Sequence, residues 1–293
     1  MAHIAEPTLQ QEEHAMAKTW FITGTSSGLG RLLTERLLSR GDRVVATLRR
    51  PVVLDALRAR YGDRLQVLAL DVTDTPALRK AVDAAFTRFG PIDVAVSNAG
   101  YGLFGAAEEV GDAQIERQIA TNLVGSIQLI RAVLPHLRKQ GGGRIVQVSS
   151  EGGQIAYPNF SLYHATKWGI EGFVEAVAQE VAPFGIDFVI VEPGPTGTRF
   201  AEGLDHARPL PSYEHTPAAD VRRAVNSGSF PLKGDAAKTV DAMIAAAEAT
   251  NPPLRLALGS SAYESISSAL RNRLEALEAQ KQIALAADTA HAR

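Results

Sequence analysis

Cysteine is absent from the 293 residues, which excludes disulfides, Cys-ligated zinc and a thiol nucleophile. Neither sign of charge is in excess. Thirty basic against 32 acidic side chains leave a net charge of −2, whereas a nucleic-acid binder carries a basic surplus. No apolar run approaches the ~18–20 residues that cross a bilayer. The seven histidines show no H-E-x-x-H spacing, so no metal site is expected. The first 17 residues contain Glu6, Glu12 and Glu13 and no continuous apolar stretch. They read as a disordered lead-in rather than a signal or transit peptide, and a cytoplasmic protein is the expectation. What remains is ordinary globular usage, 45% hydrophobic and 21% charged, in a chain long enough for one large domain.

From Lys18 onward, short apolar runs alternate with amphipathic stretches. Strands are expected at Thr19–Thr23, Arg43–Leu48, Leu65–Leu70, Ile92–Val96, Arg144–Val148 and Ile186–Val191. Between them, helices are expected from Gly28 to Arg40 (stopped by Gly41), after Pro51, from Asp74 to Phe89, over Asp112–Arg138 as one long helix, and over Phe160–Ala182. Nearly continuous apolar strands separated by helices predict an α/β protein with a single doubly wound parallel sheet, a Rossmann fold with helices on both faces. Residues 18–285 are read as that one domain, with 286–293 frayed. Residues 193–234 are rich in proline and weakly periodic, which predicts a long functional loop or lid. An alanine-rich helix at Asp235–Ala249, a short strand at Leu254–Leu258 and a final helix at Ala262–Ile283 complete the reading.

Thr23-Gly24-Thr25-Ser26-Ser27-Gly28-Leu29-Gly30 joins the first strand to the first helix. Glycines permit a sharp turn and close approach of a pyrophosphate, and the helix start offers free N–H groups. A plain tight turn is the competing reading. At the end of the second strand an NAD-binding fold places a carboxylate on the ribose. Here Arg49 and Arg50 follow Leu48, and a guanidinium pairs with a 2′-phosphate, which favours NADP(H) over NAD(H). The alternative is two solvated surface arginines.

Tyr163 and Lys167 are one helical turn apart and share a face. A nearby cation lowers a tyrosine pKa from about 10 towards a working value, though such pairs also arise by chance on surface helices. Ser150 ends the fifth strand, where parallel sheets place their ligand crevice. Ser149 is its rival. Asn122 stands within a helix that asparagine does not favour; its amide is suited to hold water or a backbone group, or is simply solvated.

Taken together, residues 18–200 resemble the short-chain dehydrogenase/reductase family. Thr23–Gly30 matches its T-G-x-x-x-G-x-G turn, Asp71 (followed by Val72) its adenine-contacting aspartate, and Asn98-Ala99-Gly100 its N-A-G motif. Asn122, Ser150, Tyr163 and Lys167 match the Asn-Ser-Tyr-Lys tetrad, and the 13-residue step from Ser150 to Tyr163 favours Ser150 over Ser149. Pro193-Gly194-Pro195-Thr196-Gly197-Thr198 matches the segment that holds the nicotinamide. The runs around Tyr163 and Pro193 look most like the branch of 17β-hydroxysteroid and retinol dehydrogenases. The resemblance implies an oxidoreductase in which Tyr163 is the acid/base, Lys167 lowers its pKa and holds the ribose, Ser150 polarises the substrate oxygen and Asn122 holds a relay water. The cofactor set is Gly24, Thr25, Ser26, Ser27, Gly28, Leu29, Gly30, Arg49, Arg50, Asp71, Val72, Asn98, Ala99, Gly100, Tyr163, Lys167, Pro193, Gly194, Thr196 and Thr198.

Two rival classes are a non-catalytic dinucleotide sensor, against which the filled tetrad argues, and a nucleotide-sugar epimerase or dehydratase, which typically has a longer C-terminal domain. An NAD-preferring alcohol or steroid dehydrogenase is the alternative within the family. Tyr101, Leu103, Phe104, Ile155, Tyr157, Phe200, Leu204 and Tyr213 are expected to line a mostly apolar substrate pocket. His164 is read as a structural or rim residue, and Glu151 as a rim charge, with a substrate contact as the alternative. Family members pair through their long helices, so a homodimer or homotetramer is expected, with Phe173, Val174, Val177 and Val181 as a suitable stripe or else facing the sheet.

Overall fold

A computed structural model describes residues 17–229 and 232–288. The lead-in at 1–16 and the last residues, 289–293, lie outside the described part. Apolar runs form β1 (Thr19–Thr23), β2 (Arg43–Leu48), β3 (Leu65–Ala69) and β4 (Val94–Ser97), separated by α1 (Gly28–Ser39), α2 (Asp55–Tyr61) and α3 (Thr75–Phe89). The Asp74 side chain caps α3 by accepting from Ala77 N at 3.0 Å. Next come β5 (Leu103–Phe104), α4 (Asp112–Ile119), α5 (Gly125–Gln140), β6 (Gly143–Val148), α6 (Ser161–Val181) and β7 (Ile186–Pro193). The chain continues through β8 (Asp205–His206), α7 (Pro217–Asn226), α8 (Ala236–Glu248), β9 (Arg255–Leu258), α9 (Ser260–Ala279) and α10 (Lys281–Ala286).

Seven strands form one sheet in the order β3-β2-β1-β4-β6-β7-β9, every pair parallel. The order reverses between β1 and β4, which opens a crevice at the strands' carboxyl ends, the usual ligand position of such sheets. Helices cover both faces. Trp20, Ile22, Leu33, Leu37 and Val240 fill one core, while Phe21, Leu78, Leu129, Ile170 and Val174 fill the other.

Three expectations are corrected. The helix expected over 112–138 is interrupted by a wide π-turn at Ala120–Val124, a feature frequent at functional sites. The segment 193–234 is not a featureless loop. It contributes β8, which pairs in parallel with β5 through Leu103↔Asp205 and Phe104↔His206, and it contains α7. The final helix divides at Gln280 into α9 and α10. As for the stripe on α6, Val174, Val177 and Val181 are buried against the sheet, with Phe173 packed on the same core. That stripe faces inward and is not open to a second copy.

Candidate active site

At the end of β1 the chain turns through Gly24 (φ +71°) and Gly28 (φ +59°) into α1. A Cβ on Gly24 would lie 2.7 Å from Ala99 Cα, and one on Gly30 would collide with the Asn98 amide and the Gly24 carbonyl. The turn is therefore packed directly on the N-A-G segment, and no side chain fits between them. Asn98 Nδ2 donates to the Thr23 and Gly24 carbonyls at 2.9 and 3.1 Å. The Asn98 and Ala99 N–H groups donate to Thr23 Oγ1 at 3.0 and 3.1 Å. Thr25 is fully buried and donates its hydroxyl to Thr47 O at 3.2 Å. Asn98 and Thr25 thus shape the turn with side chains turned inward. Ser27 stands at the N-cap of α1 without a side-chain cap bond, so the first N–H groups of the helix lack a side-chain acceptor there.

Arg49 and Arg50 are exposed just beyond β2. Asp71 accepts from Thr73 N and Thr73 Oγ1 at 3.0 and 2.8 Å. The Thr73 backbone bond, with a further contribution from Arg49, holds its carboxyl below the usual range. Val72 packs where Gly125 leaves room at the start of α5, its Cγ2 3.0 Å from where a Gly125 Cβ would sit.

Asn122 lies in the π-turn. Its Oδ1 accepts from Tyr101 N at 3.1 Å and its Nδ2 donates to Tyr101 O at 2.8 Å. Of the readings open in the sequence, the backbone partner is the one realised: the amide clamps the chain after Gly100. Gln118 adds a second donor to Tyr101 O at 3.0 Å.

Ser150 follows β6. Its Oγ accepts from Gly152 N at 3.1 Å, and the side chain acts on Tyr163 to lower its pKa. The neighbouring Ser149 hydroxyl instead donates to Glu171, as strand alternation dictates. Lys167 Nζ donates to Val148 O at 3.0 Å and lies 5.5 Å from the Tyr163 ring centroid. Tyr163, Ser150 and Lys167 are all buried.

Burial governs the titration here. It pushes the Tyr163 phenol up to about 12, with Ser150 opposing. It also brings Lys167 down to about 8, with Glu171 opposing. The lowering of Tyr163 expected from Lys167 is not what the site shows: burial dominates, and Ser150 rather than Lys167 is the group that opposes it.

Behind the tetrad lies a carboxylate cluster that the sequence reading missed. Glu171, on α6, pairs through Oε2 with Arg255 at 2.7 Å. The same guanidinium pairs with Glu192 of β7 and, at 2.9 Å, with Glu175. Gln154 Nε2 donates to Glu192 Oε2 at 2.8 Å. Burial, then repulsion from Glu171, pushes Glu192 up to about 7. The only trace in the sequence was the i, i+4 step from Lys167 to Glu171. His164 is buried; its Nδ1 meets Gly152 O at 2.9 Å and its Nε2 accepts from Tyr157 N at 3.3 Å. This fixes the neutral Nδ1–H tautomer in a structural role. Glu151 is also buried rather than on the rim, accepting from Ser265 at 2.9 Å.

The segment after β7 folds over this crevice. A Cβ placed on Gly28 would find Thr198 Cβ at 3.9 Å, and Arg199 donates to Ser26 O at 3.5 Å. Thr196 Oγ1 is turned to Gly194 O at 2.8 Å, and Gly194 N donates to Leu258 O at 3.0 Å, tying Pro193-Gly194 to β9. Phe200 lies on Tyr163 with ring centroids 5.6 Å apart. Phe104, Phe160 and Tyr163 form an apolar cluster with Tyr157, Leu204, Val221 and Val225. Of the expected pocket residues, Phe104, Tyr157, Phe200 and Leu204 therefore surround Tyr163. Phe160, Val221 and Val225 join them unforeseen. Leu103 is buried in β5 and Tyr101 sits beneath the Asn122 clamp. Ile155 accepts from Trp168 Nε1 through its backbone carbonyl at 3.2 Å, and the Tyr213 hydroxyl is turned to Glu108, to which it donates at 2.9 Å.

No helix among the described residues is long and apolar enough to cross a membrane. Over most of its length the chain is similar to known proteins. "Oxidoreductase BOA17" of Botryotinia fuckeliana is 39% identical over 252 residues, 85% of this chain and 91% of that one. Human 17-beta-hydroxysteroid dehydrogenase type 1 is 37% identical over 199 residues, 64% of this chain and 60% of that one. A crystal structure of a short-chain dehydrogenase from Streptomyces avermitilis superposes with a TM-score of 0.87 at 37% identity, covering 93% of this chain and all of that one. At 25% identity, a Burkholderia cenocepacia short chain dehydrogenase in complex with NADP gives a TM-score of 0.71 over 90% of this chain and 97% of that one. A Brucella melitensis 3-ketoacyl-(acyl-carrier-protein) reductase complexed with NADH, also 25% identical, gives 0.69 over 82% and 96%. The family model for short chain dehydrogenases matches residues 18–209, more than half of the chain, so this protein is a member of the short-chain dehydrogenase family, an oxidoreductase by descent.

Proposed function

We propose that the protein interconverts a ketone or aldehyde with an alcohol on a mostly apolar substrate, using NADP(H) in preference to NAD(H). The observation that carries this reading is the placement of Ser150, Tyr163 and Lys167 under an apolar cover, at the carboxyl ends of the strands and beside the glycine turn. The turn suits a dinucleotide. Its backbone has no room for side chains at Gly24 and Gly30, and the α1 N-terminus carries the partial positive charge that phosphates prefer. Gly24–Gly30 and the α1 start would hold the pyrophosphate, Asp71 and Val72 would border the adenine, and Lys167 with Pro193–Thr198 would border the nicotinamide ribose. Arg49 and Arg50 support NADP, since a carboxylate in their place would repel a 2′-phosphate.

A bound nicotinamide cofactor supplies or accepts the hydride. In reduction, Tyr163 Oη donates its proton to the substrate oxygen, and in oxidation the phenolate takes it back. Ser150 donates a hydrogen bond to that same oxygen and so fixes the reacting carbon. The Lys167 ammonium favours phenolate once the proton has left. Phe200, Phe104, Tyr157 and Leu204 exclude water and offer an apolar wall, which selects bulky apolar carbonyl compounds over small charged oxo-acids.

Y163F tests the chemistry. It keeps the ring and its packing but removes the proton. Turnover of an apolar ketone with NADPH should fall by about 10²–10⁴-fold while NADPH binding, followed by fluorescence, survives. Near-normal turnover removes Tyr163 from the mechanism.

A further inference from the structure

Helix α9 begins on the body of the protein and leaves it. Ala262 and Ile266 are buried, and Arg273 reaches back to donate to Gln154 O at 2.6 Å. From Leu270 to Asp288, however, every residue is exposed. An isolated helix of this length is marginal in water and ordinarily needs a packed face. The exposed part presents one: Leu270, Leu274 and Leu277 are 49%, 58% and 56% exposed, with Tyr263 at 70% one heptad before Leu270. The 4-3 spacing of 270, 274 and 277 places them in one seam of coiled-coil type. Nothing among the described residues covers it.

We propose that this seam is closed by the α9 of a second copy, packed antiparallel. The charges that flank the leucines choose the occupant and the register. With Leu274 of one copy against Leu277 of the other, the two-fold axis puts Arg271 beside Glu278 twice, once towards each end of the seam. Shifting the partner by one heptad sets Arg271 against Arg271 and Glu264 against Glu278, which is repulsive. The seam is thus self-complementary in one antiparallel register, as a two-fold interface requires. That arrangement also carries the two bodies to opposite ends of the helix pair.

The experiment is sedimentation velocity on the full chain from about 1 to 50 µM, with far-UV circular dichroism of each variant as a check of folding. The wild type should be a dimer. L274E should weaken the dimer by at least about a hundredfold, because each copy buries an unpaired carboxylate. R271E and E278R should each weaken it by about tenfold, and R271E/E278R should restore it, since the pair is re-formed with its signs exchanged. The double variant keeps the test decisive if L274E alone fails to fold. A monomeric wild type overturns the proposal, whether residues 1–16 or anionic phosphatidylglycerol vesicles are then found to cover the seam. An assembly unchanged by L274E, or a double variant no stronger than the singles, overturns it as well. None of these outcomes bears on the hydride chemistry, which Y163F tests separately.

Discussion

Phe200 lies across Tyr163 with their ring centroids 5.6 Å apart and their planes tilted by 59°. The ring that covers the proposed acid/base residue belongs to the segment after β7, so covering the site and desolvating the tyrosine go together. Burial is the largest influence on the phenol, which stands near about 12. A proton held this firmly suits the reducing direction, where Tyr163 must arrive protonated.

F200A should therefore do more than enlarge a pocket. Water reaching Tyr163 stabilises phenolate, and the pKa falls towards its ordinary value of 10. The alkaline limb of the kcat profile for reduction should move to lower pH, and KM for an apolar ketone should rise about tenfold. Unchanged pH profiles in this variant would show that Phe200 does not control hydration of the tyrosine.

Glu171 should prove to be a positioning residue for Lys167. The ammonium is buried, and Glu171 opposes the downward pull of that burial. Removing the charge in E171Q lets the Lys167 pKa fall below about 8. The lysine then loses its charge at pH 8 and keeps it near pH 6. Turnover in E171Q should be roughly tenfold below wild type at pH 8 and approach it near pH 6. The groups that share this environment are Glu151, Tyr163, His164, Glu175, Glu192 and Arg255. A uniform loss of activity at every pH would indicate a merely structural glutamate.

Cofactor choice should reverse at Arg49. R49D removes a charge-assisted donor and adds a repelling carboxylate, so the ratio of kcat/KM for NADPH over NADH should drop by at least about tenfold. Equal efficiency with the two cofactors in the unmodified protein would mean that Arg49 and Arg50 are solvated surface.

Glu109 should fasten the cover. Its carboxylate, with the side chain fully buried, pairs with Arg222 at 2.5 Å and accepts from Ala106 N and Leu210 N at 2.8 and 2.9 Å. Burial alone would raise its pKa. The two N–H donors and Arg222 together hold it below the ordinary 4.5. Its contribution to stability is then present above that value and lost as pH falls through the lower folded one. E109Q should cost about 3 kcal/mol by leaving Arg222 unpaired. Limited proteolysis should open first within 193–234, and equal resistance of mutant and wild type would count against the tether.

What was legible in the sequence was local. The alternation of apolar strands with amphipathic helices follows from backbone periodicity and carries the parallel sheet with it. The glycine turn and the Ser150, Tyr163 and Lys167 steps are short-range patterns, readable because each lies within one turn, strand end or helix. The remainder depended on partners far apart in the chain. Arg255 meets Glu171 across 84 residues, and no period announces such a pair. For Asn122 the sequence left water, a backbone group and plain solvation open, because a π-turn is not visible in composition; that turn aims its amide at the Tyr101 backbone. Residues 193–234 looked structureless because β8 is ordered by pairing with β5, not by its own propensity. Phe173 and Val177 carried a stripe that fits a partner or a sheet equally well, and only packing showed that it faces the sheet. The tyrosine's pKa is the clearest case. The Tyr163-x-x-x-Lys167 spacing is written in the sequence, but the sign of the shift depends on how much water the tertiary structure leaves beside the ring.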